Sequence, residues 1–324
     1  MHISVVIPTF NCANFLVQAI KSVIVQTYQD FEIIIVDDAS TDHTAKALQQ
    51  FGSQVQYICQ KRGGPSVARN RGILQAQGDL IAFLDADDLW RPTKLARQVE
   101  YLDNHSEAVL VYTDFTRGPQ PGSNNESRLK AFKPRDSTDA FHALLEENFI
   151  ATPTVLVRRE AFARSGLFDA TLKGGEDFEL WLRLARTGPF GFIDEILADV
   201  RHHGANTSRT VDFAREQIRA ARIMLERWGD DPLAVRLLRR RLAICSWNLA
   251  FAEQCRGRYA EARTAYWSSA RHTFAGRPTA LSLFLKWKSR DDTPSMAGAV
   301  ARAAFMSLPP GLVSMAHRLA RRHA

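Results

Sequence analysis

Three aspartates at the end of a short apolar run are the residues of this chain best suited to chemistry. The run spans residues 80–84 and is followed at once by Asp85, Asp87 and Asp88. Buried carboxylates this close together repel one another and lose hydration unless a cation neutralises them. Mg²⁺ and Mn²⁺ prefer oxygen ligands and often complete their coordination shell with substrate phosphates. The pattern therefore predicts a strand end that binds a divalent cation and, through it, a diphosphate; the alternative is an acidic turn that faces solvent.

The elements around these aspartates predict a sheet that brings several polar segments together. Apolar, strand-like runs at residues 3–7, 31–36, 55–58 and 80–84 alternate with helix-like stretches at 14–27, 42–51 and 65–77. This alternation is typical of an α/β fold with a mostly parallel central sheet and helices on both faces. Ligands bind such sheets at the carboxyl ends of the strands. Residues 8–11, 37–38 and 85–88 all fall at those ends, which favours the metal site over the solvent-facing turn.

The rest of the chain predicts further strands and then a change of class. We expect a surface loop at 117–135, strands at 149–157 and 190–200, and a helix at 176–187. From residue 212 onward the periodicity is helical only. We therefore predict an α/β domain over residues 1–211 and a basic helical extension over residues 212–324. Segments that begin at Trp247, Gly257 and Tyr266 resemble one tetratricopeptide-like helix pair, fewer repeats than a solenoid needs.

The composition is that of a soluble globular protein. The chain has 324 residues, of which 45% are hydrophobic, and no apolar run reaches the roughly 20 residues that a membrane-spanning helix needs. The first residues lack the basic start of a signal peptide and instead resemble a first strand. The four cysteines show no metal-ligand spacing, so we expect reduced thiols in a cytoplasmic protein.

The net charge of +7 is unevenly distributed. Residues 212–324 contain 20 Lys and Arg against 9 Asp and Glu, whereas the rest of the chain is slightly acidic. Such asymmetry indicates an anionic partner for the extension, and a merely solvated basic helix face is the alternative. We predict that the basic, partly apolar end at 297–324 rests on the inner face of the cell membrane. A helical dimer interface is the other possibility, and no nucleic acid is expected.

Six segments together resemble family 2 glycosyltransferases of the GT-A fold, in the style of bacterial cell-envelope and exopolysaccharide enzymes. In chain order these segments span residues 4–11, 36–42, 63–72, 83–88, 175–183 and 201–208. The resemblance covers roughly residues 1–210. It implies an inverting transfer of a sugar from a nucleotide-diphosphate sugar to a hydroxyl of a glycan or lipid-linked glycan.

The resemblance also implies a donor site. Pro8, Thr9 and Phe10, with the adjacent Asn11, correspond to a loop that lines the nucleotide base, where Phe10 would supply a stacking wall. Asp38 corresponds to a carboxylate that accepts an imide N–H, which favours uracil and so a UDP-type donor, although thymine would also qualify. A helix-capping turn is the alternative for Asp37 and Asp38.

The acidic motif has its own implied roles. Arg69 corresponds to a basic group on the donor side, or else forms a structural ion pair. Asp85 would orient the motif, Asp87 would meet the ribose and the metal, and Asp88 would bind Mn²⁺ or Mg²⁺. His203 corresponds to a position beside the leaving diphosphate and could take a metal coordination site, with His202 as its rival.

On the acceptor side, Asp177 matches the general base that an inverting reaction needs. Glu176 would bind the acceptor or support Asp177, although both carboxylates could merely complement a helix dipole. Trp181, one turn further along the helix, would stack on an acceptor sugar or, alternatively, belong to the core.

Two other functions stay open on the sequence. One is a nucleotide-sugar-binding scaffold without catalytic activity. The other is a nucleotidyltransferase on a similar sheet. A dinucleotide-dependent oxidoreductase is disfavoured because neither a GxGxxG nor a P-loop motif is found.

Overall fold

The computed structural model describes residues 1–118, 127, 129, 139–201 and 211–274. Its chain divides into two compact units, Met1–Asn206 and Thr207–Ala324.

The first unit is built on one mixed sheet. Its strands are β1 (Ile3–Thr9), β2 (Phe31–Asp37), β3 (Gln56–Cys59), β4 (Leu80–Phe83), β5 (Leu89–Trp90), β6 (Leu110–Gly118), β7 (Leu156–Arg158) and β8 (Phe190–Arg201). Its helices are α1 (Ala13–Ile24), α2 (Thr44–Leu48), α3 (Pro65–Gln75), α4 (Lys94–Asn104), α5 (Ala140–Glu146), α6 (Ala161–Ser165) and α7 (Glu176–Ala185). The strand order is β3-β2-β1-β4-β7-β6-β8-β5.

Strands β1 to β4 form the parallel half that the apolar runs predicted. The central residues of β1, β2 and β4 are fully buried, which explains why these runs lack polar alternation, whereas β3 at the edge of the sheet is mostly exposed. Helix α3 lies very close to β1, because a Cβ built on Gly72 would come within 2.3 Å of the Val6 side chain. Glycine at this position therefore allows the helix that carries Arg69 to approach the sheet.

The other half of the sheet, formed by β7, β6, β8 and β5, differs from the prediction made from the sequence. Strand β7 is antiparallel to both β4 and β6, and β5 is antiparallel to β8, so only the first half is uniformly parallel. The strand predicted at 149–157 is a 3₁₀ turn at Thr152–Thr154 followed by the short β7. Strand β6 was not predicted, and its end at Gly118 occupies the start of the loop expected at 117–135. Most of that loop lies outside the described residues.

The second unit consists of helices in its described part: α8 (Val211–Arg227), α9 (Pro232–Cys255) and α10 (Tyr259–Phe274). Asp231 caps α9 by accepting backbone N–H bonds from Leu233 and Ala234, both at 3.0 Å. The carboxylate of Glu253, which is fully buried, accepts a 2.6 Å hydrogen bond from Arg215 and so ties α9 to α8. None of the helices that the structure describes is long and apolar enough to cross a membrane. The end at 297–324, for which we predicted membrane contact, lies outside the described residues.

Candidate active site

Arg69 joins the acidic motif to the start of α7. One guanidinium nitrogen donates to Asp85 at 2.6 Å and another donates to Glu176 at 3.0 Å. Arg69 is only 5% exposed. Burial alone would lower its pKa, but the charges of Asp85 and Glu176 raise it above its ordinary value, so the guanidinium stays charged. The two carboxylate clusters that the sequence singled out are therefore held together by one buried cation.

Asp88 lies on the buried side of the motif. Its Oδ1 accepts a 2.9 Å hydrogen bond from the backbone N–H of Arg201, and the side chain is 4% exposed. Its Oδ2 has no hydrogen-bond partner within the residues that the structure describes. Burial first, and then the charges of Asp85 and Asp87, raise the pKa of Asp88 well above its ordinary value.

Arg201 also belongs to this site, although the sequence analysis assigned it no role. Besides its backbone bond to Asp88, its guanidinium donates to the backbone carbonyl of Asp87 and, at 2.6 Å, to the amide oxygen of Gln18. Arg201 ends β8 and begins the segment at 201–208 that resembles the family, but the resemblance implies no role for Arg201 itself. It fastens the end of β8 to the turn that carries the aspartates.

No group of three or more His, Cys, Asp or Glu side chains within the described residues is arranged to hold a metal ion. The donor set nevertheless suits a hard cation, because Asp88 is a buried carboxylate with like charges beside it and with one oxygen that has no hydrogen-bond partner among the described residues. His203 and its rival His202 lie outside the described residues, so their roles remain predictions.

Asp177 lies at the second position of α7, one residue after Glu176. The left-handed conformation of Gly175 (φ 79°) turns the chain into the helix at this point. Burial and the neighbouring charge of Glu176 raise the pKa of Asp177 to about 6, although Arg69 opposes this effect. Thr152, a second missed residue, donates to Asp177 Oδ2 at 3.4 Å. A partly buried carboxylate with this pKa can take up a proton near neutral pH.

Helix α7 is itself firmly held. Glu179 is fully buried and accepts hydrogen bonds from Arg183 one turn later, at 2.7 to 3.0 Å. Arg183 also donates to the carbonyl oxygens of Ser165 and, at 2.6 Å, Leu167. The later part of α7 is therefore fixed to the end of α6 and to the loop that follows it.

The base-reading role implied for Asp38 meets a structural difficulty. Its carboxylate accepts hydrogen bonds from Gln60 (2.9 Å) and from the backbone N–H groups of Gly63 (2.7 Å) and Gly64 (2.8 Å). Burial by itself would raise the pKa of Asp38, but these bonds and the nearby Arg62 lower it. With the side chain 4% exposed, its visible role is to shape the Gly63-Gly64 turn before α3, and contact with a base remains a prediction.

The segment after β1 is tied to the same region. Asn11, in the left-handed region at φ 50°, accepts a 2.7 Å hydrogen bond from the backbone N–H of Thr41. Thr9 is 4% exposed, Pro8 is half-buried within β1, and the Phe10 ring is 38% exposed. Of these four predicted donor residues, Phe10 and Asn11 are exposed, and Asn11 also clamps the loop that follows β2.

The acceptor-stacking role predicted for Trp181 is wrong. Its side chain is fully buried and packs edge-on against Phe168, with ring centroids 6.1 Å apart. It also lies against Phe83, at 6.4 Å. The structure shows the alternative, a core aromatic.

Replacing Arg69 by Met should destabilise the fold by about 3 kcal/mol, because Asp85 and Glu176 would then face each other without a buried cation. Urea unfolding measures the effect. Arg69→Lys should retain part of the stability, since it keeps the charge but loses the two-pronged contact. Arg71→Ala is the matched control, because Arg71 lies exposed on the same helix. A loss below about 1 kcal/mol for Arg69→Met would mean that the carboxylates do not depend on this cation.

Comparisons with known proteins agree on one family. Residues 4–166 match the model described as glycosyl transferase family 2. The putative teichuronic acid biosynthesis glycosyltransferase TuaG of Bacillus subtilis is 31% identical over 205 residues, which are 61% of this chain and 78% of TuaG. The uncharacterized glycosyltransferase RC0461 of Rickettsia conorii is 35% identical over 208 residues, 64% of this chain. This chain spans about a third of the length of three of the Rickettsia relatives (34%, 34% and 29%).

Solved structures agree on the fold. Residues 1–349 of TarS from S. aureus, in complex with UDP-GlcNAc, superpose with a TM-score of 0.60 at 19% identity, covering 84% of this chain and 83% of that one. The mannosyltransferase PcManGT from Pyrobaculum calidifontis, in complex with GDP-Man and Mn²⁺, gives a TM-score of 0.54 at 19% identity, covering 94% and 87%. The family match, the TuaG relative and these superpositions lead to one conclusion: this chain belongs to glycosyl transferase family 2 and has the GT-A fold.

Proposed function

We propose that this chain transfers a sugar, with inversion, from a UDP-type nucleotide sugar to a hydroxyl of a glycan or lipid-linked glycan, with a divalent cation on the donor side. The observation that carries the proposal is the buried Arg69, which holds the acidic motif and the start of α7 in one site. A transferase of this class needs a donor-binding group and an acceptor base close together. The family membership supplies the reaction class.

The donor side of the proposal rests on Asp88 and Asp87. These two carboxylates would hold Mn²⁺ or Mg²⁺, with His203 as a further predicted ligand. When bound, such an ion offsets the negative charge that develops on the departing diphosphate. TarS binds UDP-GlcNAc and PcManGT binds GDP-Man with Mn²⁺. Both neighbours support a nucleotide-sugar donor, and the first is consistent with UDP.

The acceptor side rests on Asp177. Its carboxylate would take the proton of the acceptor hydroxyl as the hydroxyl oxygen attacks the anomeric carbon. The bond from that carbon to the diphosphate oxygen breaks, and the nucleoside diphosphate leaves from the opposite face with the bonding electrons. Thr152 donates a hydrogen bond to Asp177, and Arg69 keeps the charge of the neighbouring Glu176 compensated.

The acceptor class is supported by a relative rather than by geometry. TuaG is named for teichuronic acid biosynthesis, and another relative, 27% identical over 220 residues, is named chondroitin synthase. Both names refer to polysaccharides. We therefore propose a growing glycan or its lipid-linked form as the acceptor, used at the inner face of the cell membrane.

A thermal-shift panel of nucleotide sugars, each with and without Mn²⁺, tests the proposal. We expect UDP-sugars to raise the melting temperature only when the ion is present, because the diphosphate and Asp88 would share it. EDTA should abolish the shift. Stabilisation by no nucleotide sugar under either condition would contradict the proposal. Stabilisation without either transfer to acceptors or slow donor hydrolysis would instead favour the inactive scaffold.

A further inference from the structure

Arg62 covers the aromatic ring that the family resemblance assigned to the nucleobase. Its guanidinium carbon lies 3.1 Å from the centroid of the Phe10 ring. Phe10 is 38% exposed, so the ring lies at the surface of the first unit. Stacking of a guanidinium on an aromatic face combines a cation–π attraction with contact between two flat groups. The face of Phe10 that Arg62 covers is closed to a base.

Two further contacts fix the position of Arg62. Its Nε lies 3.6 Å from the Asp38 carboxylate, and its Nη1 donates to the Asp38 backbone carbonyl at 3.4 Å. Asp38 is in turn held by the backbone N–H groups of Gly63 and Gly64, the two residues that follow Arg62. The guanidinium is thus positioned by the loop after β2 and by the turn before α3. Both segments lie at the carboxyl ends of parallel strands, where such sheets bind ligands.

The outer face of this guanidinium remains open. The Arg62 side chain is 54% exposed although one of its faces lies on Phe10. A long charged side chain on a surface usually keeps rotational freedom, but this one is held flat by an aromatic ring and an ion pair. A flat, weakly hydrated cation presented in this way is a stacking surface for a nucleobase.

We propose that Arg62, and not Phe10, is the stacking surface for the base of the donor nucleotide, so that base, guanidinium and Phe10 ring form three layers. This inference rests on the proposed function and deepens it. It assigns Phe10 the task of supporting Arg62 and Asp38 that of anchoring it. The exposed guanidinium thereby becomes a determinant of nucleotide affinity that the sequence alone did not indicate.

The test compares the binding of UDP and of uridine to the full chain, by calorimetry with Mn²⁺ present. Arg62→Ala should weaken both ligands by the same factor, about 5- to 100-fold, because base stacking contributes about this much. Arg62→Lys should lose most of that affinity as well, since an ammonium keeps the charge but has no flat face. Lys61→Ala is the matched control, because Lys61 is the exposed neighbouring cation, and it should bind like the parent.

Phe10→Leu provides a second variant, since it removes the ring below Arg62 and leaves the guanidinium itself in place. We expect a weakening of the same order for both ligands. Unchanged uridine binding in Arg62→Ala with weakened UDP binding would place the contact on the phosphates and overturn the inference. Unchanged binding of both ligands would overturn it as well. If the parent protein binds no nucleotide at all, the proposed function fails first, and the inference fails with it.

Discussion

Asp177→Asn should lower the turnover number by about 10²- to 10⁴-fold, because an amide cannot take the proton of the acceptor hydroxyl. The side chain keeps its size and its acceptor oxygen, so the hydrogen bond from the Phe178 backbone N–H can persist. Donor binding should change little, since Asp177 faces the acceptor in the proposed reaction. Steady-state kinetics, with nucleotide affinity measured separately, distinguish these two effects.

The pH profile of the parent enzyme follows from the same residue. Because burial and Glu176 raise the pKa of Asp177 to about 6, the base is ionised above that pH and protonated below it. Activity should therefore fall about tenfold for each pH unit below about 6. The charged groups that face Asp177 are Glu176, Asp85 and Arg69. Arg69 stays charged throughout this range, so it does not shape the profile.

As the pH rises from about 4 to about 6, the free energy of unfolding should fall while the activity rises. An acid whose pKa is higher in the folded state than in the unfolded state destabilises the fold once it ionises. This penalty is absent below about pH 4 and complete above about pH 6. Asp177→Asn removes the penalty, so it should raise the free energy of unfolding at pH 7 by about 1–3 kcal/mol, and the gain should vanish near pH 4.

Asp194→Asn is the control for both measurements, because Asp194 is exposed on β8. It should leave turnover, pH profile and stability as they are in the parent. Full turnover in Asp177→Asn would remove Asp177 from the base role and would require another acceptor-side group. A profile that stays flat down to pH 5 would contradict the environment that the structure gives this carboxylate.

The sequence predicted the parts of this site that depend on local patterns. Apolar runs followed by polar residues located the ends of β1, β2 and β4. The carboxylates at 85–88 follow β4, and those at 176–177 lie at the start of α7, as the sequence predicted. These signals work because buried parallel strands must be apolar and because their carboxyl ends share one edge of the sheet.

What the sequence could not predict depends on contacts between distant segments. Arg69 bonds Glu176 across 107 positions, and Arg201 bonds Asp88 across 113. Local sequence patterns therefore predict neither pair. Strand β6 was missed because Tyr112, Thr113 and Asp114 interrupt its apolar pattern although all three are buried. Asp38 shows the converse: a family position suggested a ligand contact, but hydrogen bonds engage its side chain within the protein. For Trp181, its place one turn after Asp177 suggested acceptor stacking, but packing buries it in the core.

Asp88→Asn should abolish the Mn²⁺-dependent stabilisation by UDP and lower kcat/KM by about 10³-fold. The amide keeps an oxygen that can accept the Arg201 backbone N–H, so the turn should hold its shape. What disappears is the negative charge of a buried carboxylate that has one unpaired oxygen within the described residues. The electrostatic stabilisation that a bound cation gives a departing diphosphate amounts to several kcal/mol, and each 1.4 kcal/mol changes a rate about tenfold.

The protein without ligand provides the decisive comparison for this variant. Because burial and the charges of Asp85 and Asp87 disfavour the ionised form of Asp88, the Asn variant should be at least as stable as the parent when no metal or nucleotide is present. Loss of function through misfolding would instead lower that stability. Asp103→Asn, at an exposed position on α4, should respond to UDP and Mn²⁺ like the parent. If Asp88→Asn also retains the full Mn²⁺-dependent rise in melting temperature, the ion is bound elsewhere. The acidic motif would then stabilise the fold through its ion pair with Arg69 and would not bind the donor.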